Sequence, residues 1–409
     1  MDDRLPDAFT GHTIDILRVA AGHQQIALQA LLDLETDLVG KVANARSLNA
    51  RTRFLRMLEE CTASIRLAYE GIEKKHRKQL AGLATVEAKA TVGFINEVIG
   101  ADVLGVSLSL NQLTAISTGP NIMGHSARTW WQGQDESLQQ RFRGEMTRGQ
   151  LLGETNEQLV RRVRGTAQAG YTDGVMAVSR REATSLVRTS ALSTANAARE
   201  KTIEDLDDVV DAIQWVSTLD GRTTLICQGL SGKIWTIPDY KPVGHNKAYP
   251  GTTAHWNCRS TRVPVLKSWE ELMGRKLPSL DNKKLEDTVK KKLAAQGMSK
   301  EQIEAVTINS RASMDGQVNK DLTMDEWLAK KDDTFIDKTL GPGRAARWNR
   351  GKGELSLSDL TDQNNRPLTL KQLDAKVSRG EPPPETKGLT IADLDNDGQF
   401  VPAPPRQRK

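Results

Sequence analysis

The segment from Trp215 to Val265 constrains the fold of this chain most strongly, because it combines rare side chains with closely spaced turn formers. Two of the three cysteines lie in it, Cys227 and Cys258, together with His255. Glycine and proline recur along the segment, a pattern typical of short strands joined by turns. The flanking sequence has helical periodicity or a tail-like composition, so this segment is the predicted compact centre.

The strongest turn signal in the segment is the pair Asp220-Gly221. It separates the apolar pairs Trp215-Val216 and Leu225-Ile226. An Asp-Gly pair between apolar runs is typical of a β-hairpin. The sequence therefore predicts a hairpin whose second strand leads into Cys227.

Length and charge bound the possible function classes. A chain of 409 residues is long enough for two or three domains and for at least one substantial core. The net charge of +5 is too small by itself to indicate nucleic-acid binding. Residues 141–201 alone, however, carry a basic excess as large as that of the whole chain. A basic surface is therefore expected in this part.

Cysteine content and hydropathy predict the compartment. Three cysteines are too few for a disulfide scaffold. The N-terminal residues lack the apolar stretch of a signal peptide, and no run approaches the roughly 18 apolar residues of a membrane span. We therefore expect a protein that is made in a reducing host cytoplasm and has no membrane partner.

Helical periodicity dominates the sequence before the compact centre. Residues 13–100 have the apolar spacing of long helices, whereas residues 103–133 are rich in Gly, Ser, Thr and Asn and predict a linker. Residues 136–204 predict three further helices, with breaks near Gly165 and Gly170.

The last of these helices, predicted over residues 178–204, has two unlike faces. Arg181, Arg188 and Arg199 project from one face, because spacings of seven and eighteen residues return to nearly the same angle. These arginines are candidate contacts to the phosphates of double-stranded DNA or to an acidic protein surface, with a solvated surface as the open alternative. The opposite stripe of small and apolar residues is expected to be buried: Ala183, Leu186, Val187, Ser190, Thr194 and Ala197.

Beyond the compact centre, the sequence predicts helices and then a tail. A charged helix is expected from about Trp269 to about Ala295. A second helix begins at Thr323, where Glu326 stands at capping-box spacing, and Thr369 is the predicted cap of another. Residues 380–409 are rich in proline and basic at their end, which predicts disorder.

These patterns predict an α+β fold class. It comprises a helical N-terminal region, a small domain of helices and short strands, and a disordered C-terminal tail. The predicted divisions are a helical region with a linker (1–133), the compact domain (134–266), a helical or mixed region (267–379) and the tail (380–409).

Cys227, His255 and Cys258 supply ligand types that zinc takes in proteins. The His-x-x-Cys spacing provides two ligands close in sequence, and Cys227 would supply the third. A fourth ligand is not evident, and Asp220, His245 or water would serve. Two reduced buried thiols and a disulfide between the cysteines remain open alternatives.

The catalytic site of a thiol protease combines a cysteine, a histidine and an asparagine, and this segment contains all three types in Cys227, His255 and Asn257. In such enzymes the histidine and the asparagine are usually far apart in sequence, and no strand-to-helix elbow surrounds Cys227. This interpretation is therefore disfavoured, and no catalytic residue is assigned.

An ordered set of uncommon residues lies between Val178 and Val265. Besides the three zinc candidates, it comprises Arg188, Thr189, Asn196, Trp215, Asp220, Arg222, Thr223, Gly232-Lys233, Arg259 and Val263-Pro264. This set resembles the phage head morphogenesis family, the family of phage Mu protein F-like minor head proteins. The family commonly has His-Pro-x-Cys-Arg-Cys and Arg-Thr-Glu. Here Trp256, Ser260 and Ser190 replace the proline, the second cysteine and the glutamate.

The resemblance implies a non-enzymatic minor head protein at the portal vertex inside the virion. It implies roles in procapsid assembly and in DNA packaging or delivery. The implied partners are the portal protein, scaffold or major capsid protein, and double-stranded DNA bound without sequence preference. Two alternatives stay open: a zinc-dependent nucleic-acid-processing protein, and a Mu F-like domain that carries a toxin or modifying extension. The sequence offers neither clustered carboxylates nor a glycine loop in support of them.

Overall fold

The structure, a computed structural model, describes residues 4–45, 51–99, 104–105, 108–267, 310–319, 322–350 and 355–379. The fold class is α+β, as predicted. Long helices precede a small antiparallel sheet, and shorter helices follow it. None of the described helices is both long and apolar enough to cross a membrane. The helices before the sheet are α1 (Arg4–Ala43), α2 (Arg51–Ile99), α3 (Leu110–Thr118), α4 (Ala127–Leu151), α5 (Asn156–Arg164) and α6 (Val175–Glu204).

The linker predicted over residues 103–133 is wrong in part, because α3 and the start of α4 lie within it. Ser109 and Gln112 form a capping box at the start of α3, and Ser126 accepts a hydrogen bond from the backbone of Thr129 at the start of α4. Serine is as typical of a helix N-cap as of a loop. The polar residues that suggested a linker are therefore helix caps at two positions.

A four-stranded antiparallel sheet follows α6. Its central strand β1 pairs Ile213 with Trp235 on one side and with Pro264 on the other. Pro264 is tolerated because its strand lies at the edge of the sheet. The strands are β1 (Val210–Val216), β2 (Ile234–Thr236), β3 (Pro242–Val243) and β4 (Thr261–Leu266), in the order β3-β2-β1-β4.

The hairpin predicted around Asp220-Gly221 is wrong in its second strand. Leu225–Leu230 forms helix α7 instead. Thr224 caps this helix, because its hydroxyl accepts a hydrogen bond from the backbone N–H of Cys227. The Asp-Gly pair marks a turn, but the capping threonine directs the chain into a helix.

The described part of the C-terminal region is a β-hairpin, four short α-helices and a 3₁₀ helix. The predicted caps are confirmed, since Thr323 and Thr369 accept hydrogen bonds from the third residue of the following helix. The charged helix predicted over 269–295 and the tail 380–409 lie outside the described residues. The elements are β5 (Ser310–Ser313), β6 (Gly316–Asn319), α8 (Met324–Ala329), α9 (Asp333–Leu340), α10 (Pro342–Arg350), a 3₁₀ helix (Leu357–Leu360) and α11 (Leu370–Arg379).

Helix α6 lies at the centre of the fold. Every residue from Thr189 to Glu200 is buried, and α1, α2, α4 and β4 all contact the helix. Small side chains permit these close approaches, and their hydroxyls bond within the helix, as Ser190 does to the carbonyl of Leu186. The predicted buried stripe of small residues is therefore confirmed, but the burial extends around the helix.

Burial on all sides makes the predicted arginine face wrong at Arg199. This side chain is fully buried, and its guanidinium pairs with Glu87 of α2 at 2.6 Å and with the carbonyl of Arg262 in β4 at 3.2 Å. Arg199 therefore cannot contact a DNA phosphate, because the face opposite the apolar stripe meets protein here. Arg181 is exposed and Arg188 is half-buried, so both remain accessible.

One hydrophobic core extends across the predicted boundary at residue 133. Phe54 and Ile65 of α2 belong to the same cluster as Phe142 of α4 and Leu186 of α6. The domain boundaries stay a prediction, but the N-terminal helices share their core with the elements that follow them.

A buried histidine connects α2 to α4 and α6. The indole N–H of Trp131 donates to Nδ1 of His76 at 2.9 Å, and Nε2 lies 3.0 Å from the hydroxyl of Ser190. An indole nitrogen only donates, so the neutral ring carries its proton on Nε2. Burial lowers the pKa of His76 to about 3.

We expect His76 to make the fold sensitive to acid. The unfolded chain binds a proton on this residue near pH 6.5, whereas the folded chain does so only near pH 3, so stability is lost as the pH falls through that window. The loss is about 2–3 kcal/mol between pH 7 and pH 4.5. The variant His76→Gln keeps a donor and an acceptor but does not titrate. Measured by urea unfolding, its free energy of unfolding should fall between these two pH values by that much less than that of the unmodified protein. Equal losses in both proteins would contradict a neutral buried histidine.

Candidate metal centre and arginine cleft

The side chains of Cys227, His255 and Cys258 meet in the structure. Nε2 of His255 lies 3.0 Å from Sγ of Cys227, and the two sulfur atoms are 3.6 Å apart. The three potential ligand atoms lie within 4.8 Å of one another, and all three residues are buried. The predicted zinc candidates therefore form one group that could hold a metal ion.

Two local structures place these side chains. Cys227 lies in the first turn of α7, and His255 and Cys258 lie on a tight turn before β4. Asn257, between them, has φ of 57°, a left-handed conformation that asparagine tolerates better than most residues. Its backbone N–H donates to the hydroxyl of Thr189 at 3.0 Å, which fixes the turn against α6.

The ring of His255 is oriented by a backbone carbonyl. Nδ1 lies 2.7 Å from the carbonyl oxygen of Trp256, and because a carbonyl only accepts, Nδ1 carries a proton. Nε2 therefore faces Cys227, with the hydroxyl of Thr224 at 2.8 Å. Metal-binding histidines usually donate from the second ring nitrogen in this way.

The two thiols have opposite pKa shifts. Burial raises the pKa of Cys227 well above its usual value. The hydrogen bond from Cys227 holds the pKa of Cys258 well below its usual value, and the charge of His255 adds to this effect. Burial by itself would lower the pKa of His255, but the Cys258 thiolate raises it. These directions favour the thiolate at Cys258, and the thiolate is the form of cysteine that binds metals.

The spacing of the two sulfur atoms fits zinc. Zn–S bonds of about 2.3 Å at tetrahedral angles place two sulfur atoms about 3.8 Å apart, close to the observed 3.6 Å. Two fourth ligands considered from the sequence are engaged elsewhere: Asp220 pairs with Arg259, and His245 lies 2.8 Å from the carbonyl of Ile234. The hydroxyl of Thr224 and water remain as fourth ligands.

An ion pair fixes the loop beside the centre. Arg259 donates to both carboxylate oxygens of Asp220, at 2.5 and 2.7 Å. The same carboxylate accepts from the hydroxyl of Thr223 and from the backbone N–H of Arg222, both at 3.0 Å. Because Arg259 directly follows the second cysteine, this cluster connects the two segments that carry the thiols.

An open cleft of about 500 Å³ adjoins the centre. Of its arginines, Arg259 is neutralised by Asp220 and Arg180 by Glu35. None of the described residues that line it is acidic. The lining residues are Arg180, Arg181, Arg188, Arg222, Arg259, Thr184, Ser185 and Asn257.

Arg188 is the arginine of the cleft whose positive charge is most destabilised by its surroundings. Burial lowers the pKa of Arg188, and the charges of Arg259 and Arg222 lower it further. No carboxylate offsets these effects within the described part of the chain. A half-buried guanidinium beside like charges is unfavourable unless an anion accompanies it.

Comparison with known proteins identifies the segment that builds the centre and the cleft. Residues 140–263 match the family model described as Phage Mu protein F like protein. The chain contains a Mu F-like domain. This match confirms the resemblance inferred from the sequence, and it includes the three ligand candidates and every residue that lines the cleft. Neither a curated protein nor a solved structure matches the chain.

Several motif residues of the Mu F-like domain hold the loops around the centre. Asn196 donates to the carbonyl of Thr252 at 3.0 Å, and Thr189 accepts from the His-x-x-Cys turn. Trp215 is buried in β1, with the guanidinium of Arg262 at 3.8 Å from its ring centroid. These residues shape the loops, whereas the three motif arginines, Arg188, Arg222 and Arg259, line the cleft.

The departures from the family pattern make contacts of their own in this Mu F-like domain. Trp256, which replaces a proline, packs edge-on against Trp130 with 4.8 Å between ring centroids. Ser190, which replaces a glutamate, lies within hydrogen-bond distance of His76. Ser260, which replaces a cysteine, bonds a neighbouring serine at 3.1 Å. Two of the three departures thus contact residues that precede the matched segment.

The thiol-protease interpretation is contradicted by the hydrogen bonds around the centre. The side chain of Asn257 donates to Ser185 at 3.2 Å, and Nδ1 of His255 is bonded to a backbone carbonyl instead. Cys227 is 2% exposed and its pKa is raised, so it is a buried protonated thiol. A catalytic thiol needs to be accessible and to have a lowered pKa.

Sequence reasoning missed Thr224, Arg259 and Arg180 as site residues. Thr224 precedes the helix that carries Cys227, so its capping position was the available signal. Arg259 stands beside Cys258 within the family motif, which was also a signal. Arg180 gave no signal, because only the tertiary structure brings it to the cleft.

Proposed function

We propose that this protein is a phage minor head protein that acts at the portal vertex, in procapsid assembly and in DNA packaging or delivery. The supporting observation is the Mu F-like match over residues 140–263, because the family is one of phage head morphogenesis. The proposed location is the capsid interior of the virion, after assembly in the host cytoplasm.

A role through partners rather than catalysis is supported by the geometry of the centre. Cys227 and Cys258 are each 2% exposed and His255 is 3% exposed, so a substrate could reach them only if the turn opened. Zinc at this position would connect α7 to the turn before β4, as structural zinc does in other proteins. We therefore propose a structural ion rather than a catalytic one.

The portal proposal is tested by co-expressing the full-length chain with the portal protein of the same phage genome. We expect the two proteins to co-purify through a tag on the portal protein, and the chain to sediment with procapsids. A portal protein from an unrelated phage is the matched control. A gene position directly downstream of a portal gene would support the same conclusion.

The enzymatic alternatives predict a different outcome. If the chain fails to bind portal protein and procapsids, but cleaves or modifies DNA or protein in a reaction abolished by Cys227→Ser or His255→Ala, the assembly proposal is wrong. A separately functioning extension is not supported by the described residues around 355–379, which pack on the Mu F-like domain. Lys247 donates to the carbonyls of Thr361 and Asp362 at 2.7 and 2.9 Å.

A further inference from the structure

The arginine cleft holds more positive charge than its surroundings neutralise. At close range Asp220 pairs with Arg259 and Glu35 pairs with Arg180, which leaves the charges of Arg181, Arg188 and Arg222. Arg222 lies 3.8 Å from Asp220, which Arg259 already neutralises, and the Arg222 side chain is 83% exposed, so its charge is available to an anion. These arginines come from two segments, α6 and the loop after β1, that meet at the cleft.

We propose that this cleft binds a phosphate group, with Arg188 as the central ligand and Arg181 and Arg222 on either side. A guanidinium offers two parallel N–H donors that match two oxygens of a phosphate. Ser185 adds a hydroxyl, because it accepts from Asn257 and keeps its own proton to donate.

The number of arginines favours phosphate over carboxylate. One arginine satisfies a carboxylate, as Arg259 does for Asp220 with two bonds. A phosphate offers more acceptor oxygens and up to two negative charges, so it can be held by several guanidinium groups at once. The cleft is large, at about 500 Å³, and open, so either a free phosphate or the backbone of a polynucleotide fits.

This proposal deepens the DNA-related part of the proposed function and rests on it only for the source of the phosphate. It also replaces the DNA-contact set predicted from the sequence. Arg199 leaves that set because it is buried, and Arg222 enters it because the loop after β1 brings it beside Arg188.

The experiment measures binding of orthophosphate by calorimetry and of a labelled mixed-sequence DNA 20-mer by fluorescence anisotropy across a salt series. The full-length protein is compared with the double variant Arg188→Gln/Arg222→Gln. The matched control is Arg56→Gln/Arg143→Gln, which removes two exposed arginines outside the cleft. Equal melting temperatures would show that all three proteins are folded.

We expect the cleft variant to lose roughly tenfold or more in affinity, since it removes charge-assisted hydrogen bonds from two guanidinium groups. For DNA, the slope of log affinity against log salt should fall by about two units. The control should change affinity less than about twofold. Arg188→Lys should give an intermediate affinity, because it keeps the charge but loses the two-donor geometry.

The two probes distinguish the sources of the phosphate, and either source supports the proposal. Arginine-dependent DNA binding with the change in slope indicates the polynucleotide backbone, and arginine-dependent orthophosphate binding without DNA binding indicates a free phosphate. Equal losses of affinity in the cleft and control variants would overturn the proposed site. Binding of a poly-glutamate peptide through these arginines, with no binding of either phosphate probe, would also overturn it. The assay needs no portal protein, so failure of either proposal leaves the other standing.

Discussion

Arg199→Ala is expected to lower the free energy of unfolding by about 3–5 kcal/mol, because it leaves a buried carboxylate without its cation. Glu87 and Arg199 are both fully buried, and two guanidinium nitrogens of Arg199 lie 2.6 and 2.7 Å from one oxygen of Glu87. His12 contacts the other oxygen of Glu87 at 3.0 Å. Burial by itself would raise the pKa of Glu87, but Arg199 and His12 lower it below its usual value.

The network around Arg199 joins three parts of the chain. Glu87 belongs to α2 and Thr261 to β4, and the network extends to α1 because His12 contacts Glu87. The loss of Arg199 therefore weakens the attachment of the N-terminal helices to the Mu F-like domain. Because Glu87 has a lowered pKa in the folded state, its contribution to stability is present above its unfolded pKa near 4.5 and is lost as the pH falls through its folded pKa.

A double-mutant cycle tests the pair by urea unfolding at pH 7. Arg199→Met alone should remain strongly destabilising, because Glu87 stays buried and charged. Arg199→Met with Glu87→Leu should recover most of the loss, since an apolar pair of similar size often replaces a buried ion pair at little cost. Arg181→Ala, an exposed position on the same helix, is the control and should cost less than about 0.5 kcal/mol. If Arg199→Ala lowered the free energy of unfolding as little as Arg181→Ala does, the buried network would be refuted.

Removal of Cys227 or Cys258 is expected to abolish zinc binding and to destabilise the protein. We expect about one zinc per chain after purification under reducing conditions, because two sulfurs and an imidazole nitrogen converge within 4.8 Å. A metal present at a thousandfold excess over its Kd stabilises the folded state by about 4 kcal/mol. Cys227→Ser and Cys258→Ser should each lose the metal and this stabilisation, as measured by elemental analysis and thermal unfolding.

Cys61→Ala supplies the control for the loss of a thiol. Cys61 is also buried and free, but it lies in the core cluster of α2 and not at the centre. It should retain the metal even if it lowers stability through the loss of packing. A metal-free protein with a disulfide between Cys227 and Cys258, detected by mass spectrometry without reductant, would replace the zinc proposal. The sulfur atoms, at 3.6 Å, are beyond the length of a disulfide bond, about 2.05 Å.

The features that the sequence predicted well are local. Helix caps at Thr323 and Thr369, and the small-residue stripe of α6, depend on neighbouring residues and on helical periodicity. The family resemblance and the ligand set Cys227, His255 and Cys258 depend on residue identity and order. The α+β fold class follows from the same periodicities.

The features that the sequence predicted wrongly depend on what lies beside each element. Leu225–Leu230 is apolar enough for a strand, and Thr224 directs it into a helix that carries Cys227 to His255. Arg199 has the same periodicity as the accessible Arg181, and only the packing of α2 and β4 against α6 separates a buried ion pair from a solvent-facing charge.

By itself, the sequence determined the helical character of the chain, the family of its central domain and the identity of its three metal-ligand candidates. Each of these is encoded by spacing along the chain. Only the tertiary structure decided which arginines are accessible and which side chains complete the site. Arg188 and Arg222 meet at the cleft, and Trp256 meets Trp130, across long stretches of sequence. Periodicity assigns a residue to a face of a helix, but the neighbouring elements decide whether that face meets solvent, protein or a ligand.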